Sequence, residues 1–369
     1  MRPPVKTNST IKTHCRPSDY FGTYVWHGPV HGRESIAGAD RVLVGAFGYY
    51  LAELGDGGIL SWYTGSDVGF FDATSDEPYL VFDGDTIYSG GLAAGDFNGD
   101  GADDGVIGGN YTPDYGAWGD VVLVDGTLAG ERDSWYAFAR IDPGDKAIFY
   151  TQPEVIDIGD GDADGHDDLL VLGTGAGAWL FRGPLRGSYS LDGADRAWVL
   201  GGRCAPRRAF GVGHANQDGT DDIGLALSCY ETDYDSLAAV LVPGSGEGLL
   251  RPEIATATFV ADLEASGVGA LLGGFDVNGD GWTDVALQFS EDHEDPPSCR
   301  GLWVERGPLS GAHHFSDSRG GVTCVPGMIG ELAAPDLDQD GLADLAVAYD
   351  PGSSQETGAV YLLYGSDFL

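Results

Sequence analysis

A nine-residue pattern recurs five times along the chain at an almost even pitch, and it restricts the fold more than any other feature. Its clearest copy is Asp276-Val277-Asn278-Gly279-Asp280-Gly281-Trp282-Thr283-Asp284. Oxygen-bearing side chains stand at positions 1, 3, 5 and 9, Gly stands at position 6, and a strand-like run, Val285-Ala286-Leu287, follows. The other copies are 96–104, 160–168, 214–222 and 336–344, so the closing Asp falls at 104, 168, 222, 284 and 344, in steps of 64, 54, 62 and 60. Asp40 lies 64 residues before Asp104 and leads into a similar strand, Arg41-Val42-Leu43-Val44, which makes it a sixth copy without the acidic loop. A second, unrelated series keeps the same time. Short β-rich runs end in a turn glycine at 65, 126, 183, 244, 307 and 365, in steps of 61, 57, 61, 63 and 58. Two independent features with one pitch mean a tandem repeat, in which each module buries its apolar faces against its neighbours.

Each module holds four strand-like runs. In the fifth, 267–275 leads into the loop, 283–289 leaves it, 301–305 forms a third strand, and a fourth is expected near 313–322, while 254–260 is the outer strand of the module before. Four short strands per repeat of this length predict an all-β chain, a β-propeller of four-stranded blades with six modules. The 60 glycines follow no collagen period and no long stretch has helical apolar spacing, which agrees with many strands and tight turns. Small residues crowd the first strand of a module (Ala93, Ala94 and Gly95; Gly269, Ala270, Gly273 and Gly274), as close packing near a propeller axis demands. Residues 20–369 read as a single domain and 1–19 as an N-terminal segment. The last module ends soon after its third strand, and the β-prone run 9–14 is a candidate to close its blade; a plain tail is the alternative.

The sequence of small-residue strand, Asp-x-Asn-Gly-Asp-Gly-x-x-Asp loop, hydrophobic strand and Gly-Ala turn (Val44-Gly45-Ala46 in the first module) resembles the FG-GAP repeats of integrin α-subunit propellers and their bacterial relatives. The resemblance covers residues 20–369. It implies that each loop joins the first and second strands of a blade and binds calcium. Integrin propellers have seven blades against the six modules here, so a seven-bladed ring stands as the alternative count.

A hard cation takes six to eight oxygen ligands, and alternate residues around a tight glycine turn supply them, with position 7 contributing its backbone carbonyl. The candidate ligands in the first loop are Asp96, Asn98, Asp100, Ala102 and Asp104, and in the second Asp160, Asp162, Asp164, His166 and Asp168. The third offers Asn216, Asp218, Thr220 and Asp222, with His214 at position 1, a poor ligand for a hard cation. The fourth offers Asp276, Asn278, Asp280, Trp282 and Asp284, and the fifth Asp336, Asp338, Asp340, Leu342 and Asp344. Four or five Ca2+ ions are therefore expected. The plain alternative is an acidic Asx turn held by its own backbone hydrogen bonds.

Together the loops place 16 Asp at positions 1, 3, 5 and 9 of a chain with net charge −39. That charge opposes phosphate and excludes nucleic acid as a partner. No apolar run spans a membrane, and residues 1–21 lack the apolar core of a signal peptide, yet calcium loops favour a secreted or cell-surface protein. Cys204 and Cys229 are 25 apart, as are Cys299 and Cys324, and each pair reads either as a local disulfide or as buried thiols; Cys15 is left over. His313 and His314 read as solvated loop residues rather than a metal site, and Gly173-Thr174-Gly175-Ala176-Gly177 lacks the lysine of a phosphate loop. Trp62, Tyr63, Trp118, Trp135, Tyr136, Tyr230 and Tyr234 read as blade packing, with a binding surface as the alternative. The functional expectation is a monomeric, non-catalytic interaction module for a protein or glycan. The competing reading is a hydrolase or lyase acting on polysaccharide.

Overall fold

The computed structural model describes residues 20–27, 41–51, 55–64, 79–82, 87–111, 120–127, 130–132, 137–142, 153–173, 177–199, 204–216, 219–229, 237–245, 248–249, 255–260, 265–291, 300–314, 322–325, 328–334, 340–350 and 359–368. They are almost entirely β, with six sheets among the described residues and short 3-10 turns at Leu191–Gly193 and Gly365–Phe368. The chain divides into two compact units, Met1–Asp157 with Phe181–Ala194, and Ile158–Leu180 with Asp195–Leu369.

In the first unit, Tyr20–His27, Arg41–Leu51, Gly55–Thr64 and Tyr79–Phe82 form one antiparallel meander. A second runs through Ile87–Gly95, Asp104–Tyr111, Val121–Val124 and Ala139–Asp142. In the second unit, Cys204–Gly213, Asp222–Cys229, Leu237–Pro243 and Ala257–Val260 repeat the meander, as do Ala265–Phe275, Asp284–Glu291, Arg300–Glu305 and Val322–Val325. Leu169–Gly173, Gly177–Phe181 and Arg196–Val199 are consecutive neighbours in a further sheet, and Met328–Ala333, Leu345–Asp350 and Ala359–Leu363 in the last. The four complete meanders are the four-stranded blades expected of a β-propeller, and the last sheet has three strands among the described residues. Strands in mid-sheet are continuous apolar runs because both faces are covered: Leu169–Gly173 and Gly177–Phe181 are buried at every residue. The outer strand Ala257–Val260 alternates buried and half-buried side chains.

One feature was misassigned from sequence. The run after each third strand does not join its own blade. Gly311–His314 pairs in parallel with Ala257–Val260 of the preceding module, and the true fourth strand is Val322–Val325. The same parallel addition recurs three times: Gly130–Arg132 on Tyr79–Phe82, Gly187–Ser190 on Ala139–Asp142, and Gly248–Leu249 on Arg196–Val199. The second to fifth modules thus each lend a strand to the one before. In two of these a buried leucine fastens the loan. Leu309 is fully buried and its N–H donates to Ala215 O at 2.9 Å, while Leu185 N–H donates to Phe97 O at 2.7 Å. Phe97 and Ala215 occupy position 2 of their acidic loops, so the leucine turn of one module grips the loop of its predecessor.

His313 is accordingly no solvated loop residue. Its Nδ1 lies 3.1 Å from Glu305 Oε1, its ring stacks on Phe259 at 5.3 Å, and Trp303 Nε1 donates to the other oxygen of Glu305. Phe259 and Trp303 meet edge to face in a core shared by the fourth and fifth modules, with Phe210, Val285, Leu287 and Leu309.

The small residues of the first strands have a direct cause. A Cβ on Gly273 would lie 2.9 Å from Gly211 O, so the backbones of neighbouring first strands touch there. Gly224 is the cross-strand partner of Phe210 and lies flat beneath its ring. Cys204 and Cys229 are directly opposed in register, whereas Cys324 faces Gly301; Cys15 and Cys299 lie outside the described residues. Among the described residues no helix is long and apolar enough to cross a membrane. Trp62 and Tyr63 fall on the strand Gly55–Thr64, while Trp118, Trp135, Tyr136, Tyr230, Tyr234 and the run 9–14 lie outside the described residues.

Candidate metal centre

Three of the acidic loops are turns pinned by their first carboxylate. Asp96 Oδ1 accepts the N–H groups of Gly99 (2.9 Å) and Asp100 (3.0 Å), and its Oδ2 that of Gly101 (2.9 Å). Asp276 does the same for Gly279 and Gly281, and Asp160 for Asp164 and Gly165. Position 5 then accepts the N–H of position 7 at 2.9 Å in four loops: Ala102 to Asp100, His166 to Asp164, Trp282 to Asp280, and Leu342 to Asp340. Position 6 is left-handed throughout (φ 88, 93, 83, 83 and 90° at Gly101, Gly165, Gly219, Gly281 and Gly341), which is why it is always glycine. The Asx-turn geometry is therefore real. It is compatible with a cation, because a carboxylate oxygen that accepts one hydrogen bond keeps a second lone pair.

Position 9 has a different character. Asp104, Asp168, Asp222, Asp284 and Asp344 are all fully buried. Asp284 accepts N–H bonds from Val277 and from Gly307, the turn glycine of the third strand, both at 2.8 Å. Asp344 accepts from Gly365 at 2.9 Å, and Asp104 from Asn98 at 3.0 Å. Through Gly307, Gly365 and Gly126, the carboxylates of Asp284, Asp344 and Asp104 latch their loops to the end of the third strand. Burial pushes the Asp284 carboxyl up to about 6, against the pull of its two N–H donors, with Asp276 and Asp280 adding repulsion. Burial and the neighbouring Asp100 charge push Asp104 up to about 8, against the Asn98 and Gly126 N–H groups, with Asp125 adding to the rise. Ionised carboxylates here are held at a cost that a bound cation would relieve.

Two groups of three carboxylates bring oxygens within 4.8 Å of one another among the described residues: Asp160, Asp162 and Asp164, and Asp100, Asp104 and Asp125. Oxygens around one Ca2+, each about 2.3–2.6 Å from the ion, are separated by up to about 5 Å, so both groups fit that ion. In the first loop Asn98 is buried, and its Oδ1 has no hydrogen-bond partner. Its Nδ2 donates to Asp104 Oδ1 at 2.8 Å and to Asp100 Oδ2 at 3.1 Å, so the amide meets these carboxylates with its N–H groups.

The stretch 330–363 matches the FG-GAP repeat family model. The match spans most of the strand Met328–Ala333, the fifth acidic loop and the two strands that follow. No curated protein matches the chain in sequence. Similar solved structures include BBS1N in complex with ARL6DN, from a lead-soaked crystal (9% identity, 93% of this chain and 92% of that one, TM-score 0.46), and the Dos1 propeller (8% identity, 92% and 75%, TM-score 0.47).

Within the acidic loops the predicted ligands are not equivalent. Asp160, Asp162 and Asp164 converge as the spacing predicts. In the fourth loop, Asn278 donates to Asp280 Oδ2 at 3.0 Å and its own Oδ1 accepts the Asp280 N–H, so the amide rests inside the turn. In the third, His214 Nδ1 lies 3.2 Å from Thr220 O and 3.4 Å from Asp221 Oδ1, and Asn216 donates to both oxygens of Asp222. There the imidazole bridges positions 1 and 7, the span a cation would bridge. Asp218, Asp336 and Asp338 lie outside the described residues. Asp125, missed from sequence, stands just before the turn glycine of its third strand; its only signal is that the matching positions elsewhere are Thr64, Arg182, Pro243, Arg306 and Tyr364.

Proposed function

We propose that this protein is a non-catalytic interaction module, a propeller whose loops are held by calcium and whose partner is a protein or a glycan met outside the cell or at its surface. The convergence of Asp160, Asp162 and Asp164 within 4.8 Å carries the calcium reading. Four loops are assigned a Ca2+ ion: those beginning at Asp96, Asp160, Asp276 and Asp336. The His214 loop is assigned none, since its imidazole already spans the turn. When bound, calcium neutralises the clustered carboxylates; the chain's own latches then hold each loop to its third strand.

The placement of the buried carboxylates supports a structural role over a catalytic one. Among the described residues they are Asp103, Asp104, Asp167, Asp168, Asp222, Asp284 and Asp344, each at position 8 or 9 of a loop. Calcium titrated into chelator-stripped protein should bind saturably and raise the melting temperature by mass action. A melt unchanged by chelator overturns the calcium reading. On a glycan array, binding without cleavage that disappears on chelation is expected of a glycan partner; turnover of a polysaccharide overturns the non-catalytic reading.

A further inference from the structure

The hairpin around the His214 loop is thinly held at its open end. Its strands, Cys204–Gly213 and Asp222–Cys229, are joined by the loop at one end, and at the other Cys204 stands opposite Cys229. The ladder shifts register between Pro206 and Arg208, so only the pairs Cys204↔Cys229, Ala205↔Ser228 and Pro206↔Leu227 lie beyond the bulge. Pro206 has no N–H to give to that ladder. The pairing of Asp222–Cys229 with the third strand stops at Ala226↔Ala239, so among the described pairings Leu227, Ser228 and Cys229 are held from the first strand alone.

The register suits a bond that would close this end. Directly opposed residues of an antiparallel ladder have Cα atoms about 4.5 or 5.5 Å apart, according to whether they exchange hydrogen bonds. A disulfide takes Cα separations of about 4.4–6.8 Å, so either kind of pair accepts one without backbone movement. Where the same strand ends meet in other modules, the opposed residues are Ile87 and Tyr111, Ala265 and Glu291, and Met328 and Asp350. Cys324 faces Gly301, so two cysteines are directly opposed at this one place among the described residues. The same module is the one with His214 in place of the first loop carboxylate, the imidazole lying 3.2 Å from Thr220 O.

We propose that Cys204 and Cys229 form a cross-strand disulfide, a covalent clip between the first and second strands of the module that is assigned no calcium. The clip ties the same two strands that the acidic loops tie elsewhere, from the opposite end of the hairpin. That comparison rests on the calcium reading above; the bond itself does not. Its formation is a thiol–disulfide exchange with a small disulfide oxidant of the glutathione class. One thiolate attacks the oxidant and releases a thiol. The second thiolate attacks the mixed disulfide, the S–S bond forms between Cys204 and Cys229, and a second thiol leaves. The chain gives up two protons and two electrons, and the oxidant is reduced to two thiols. The bond persists in the oxidising surroundings outside a cell.

The test is peptide mapping of the full chain without reduction. Chelator-treated protein is equilibrated with excess oxidised glutathione, free thiols are alkylated under denaturing conditions, and the digest is read by mass spectrometry. A peptide holding Cys204 joined to one holding Cys229, lighter by two hydrogens than the separate thiol peptides, is expected. Alkylation of both, or a bond from either to Cys15, Cys299 or Cys324, overturns the proposal. Thermal melts in chelator read the role of the bond. Closing a loop of about 25 residues restricts the unfolded chain, so reduction should lower the wild-type melting temperature by about 5 °C. Cys204→Ser and Cys229→Ser should each melt alike with and without reductant. A wild-type melt that reduction leaves unchanged overturns the clip. The mapping is independent of calcium: linked cysteines beside melts that calcium does not raise would sink only the calcium reading, and free thiols beside calcium-raised melts only this one.

Discussion

Leu309→Ala should destabilise far more than its place in a surface turn suggests. The residue follows a Gly-Pro turn, between the third strand Arg300–Glu305 and the lent strand Gly311–His314. Its side chain is fully buried in a core with Phe210, Ala215, Phe259 and Trp303. Truncating a buried leucine to alanine costs about 2–5 kcal/mol, the upper end applying where the surroundings cannot collapse into the cavity. Here the backbone is fixed on both sides, by Leu309 N–H to Ala215 O and Gly311 N–H to Thr256 O, each 2.9 Å. The loss should therefore be about 3–5 kcal/mol. Urea unfolding followed by tryptophan fluorescence, with Trp303 in the same core, gives the magnitude. Hydrogen exchange gives the location: amides of 311–314 and of the loop 214–222 should lose protection together. A cost below about 1 kcal/mol, or a loss of protection confined to 307–310, would show that the leucine does not bind neighbouring modules to one another.

Three further outcomes are expected. In chelator, the chain should melt higher at pH 5 than at pH 8. The carboxyls of Asp284 and Asp104 are raised from 3.8 to about 6 and about 8, so the folded state keeps protons the unfolded chain has lost, and this stabilisation disappears as pH rises through those values; calcium should flatten the dependence, and a chelated melt that climbs from pH 5 to 8 contradicts the burial of these groups. Asp280→Asn retains an oxygen for the Trp282 N–H, so it should be near neutral in chelator and lower the melting temperature in calcium, as read by scanning calorimetry. Gly224→Ala and Gly101→Ala should differ in kind: the first drives a methyl into the Phe210 ring, at a cost of about 1–3 kcal/mol from overpacking, visible in the near-UV spectrum, while the second meets no atom within 4 Å and costs about 1–2 kcal/mol from its left-handed backbone alone.

The blades were legible because their signals are local and periodic. Asp-x-Asn-Gly-Asp-Gly followed by a hydrophobic run places a turn and a strand without reference to the rest of the chain, and the shared pitch of two series gives the modules. The lent strands were not legible. Gly311-Ala312-His313-His314 has no β-type alternation, and what makes it a strand is the open edge of Ala257–Val260, some 50 residues earlier. His313 was misjudged for the same reason, since Phe259 and Glu305 lie beside it only in the folded chain. Position 9 could be recognised as acidic but not as a buried latch, because the N–H groups it holds come from turn glycines such as Gly307, 23 residues away. Asp125 reaches its loop in the same long-range manner.

The lent strand also sets a timetable for synthesis. The apolar outer strand Tyr79–Phe82 has no partner on its far side until Gly130–Arg132 has been made, and the wait recurs for Ala139–Asp142, Arg196–Val199 and Ala257–Val260. At about 5–20 residues per second, the roughly 50 residues between donor and acceptor leave each edge bare on the ribosome for about 3–10 seconds. A bare apolar edge is a template for joining another chain. Fragments that end between an outer strand and its donor should therefore aggregate, and a soluble truncation must stop just after a leucine turn and its strand, not at the boundary of an acidic loop.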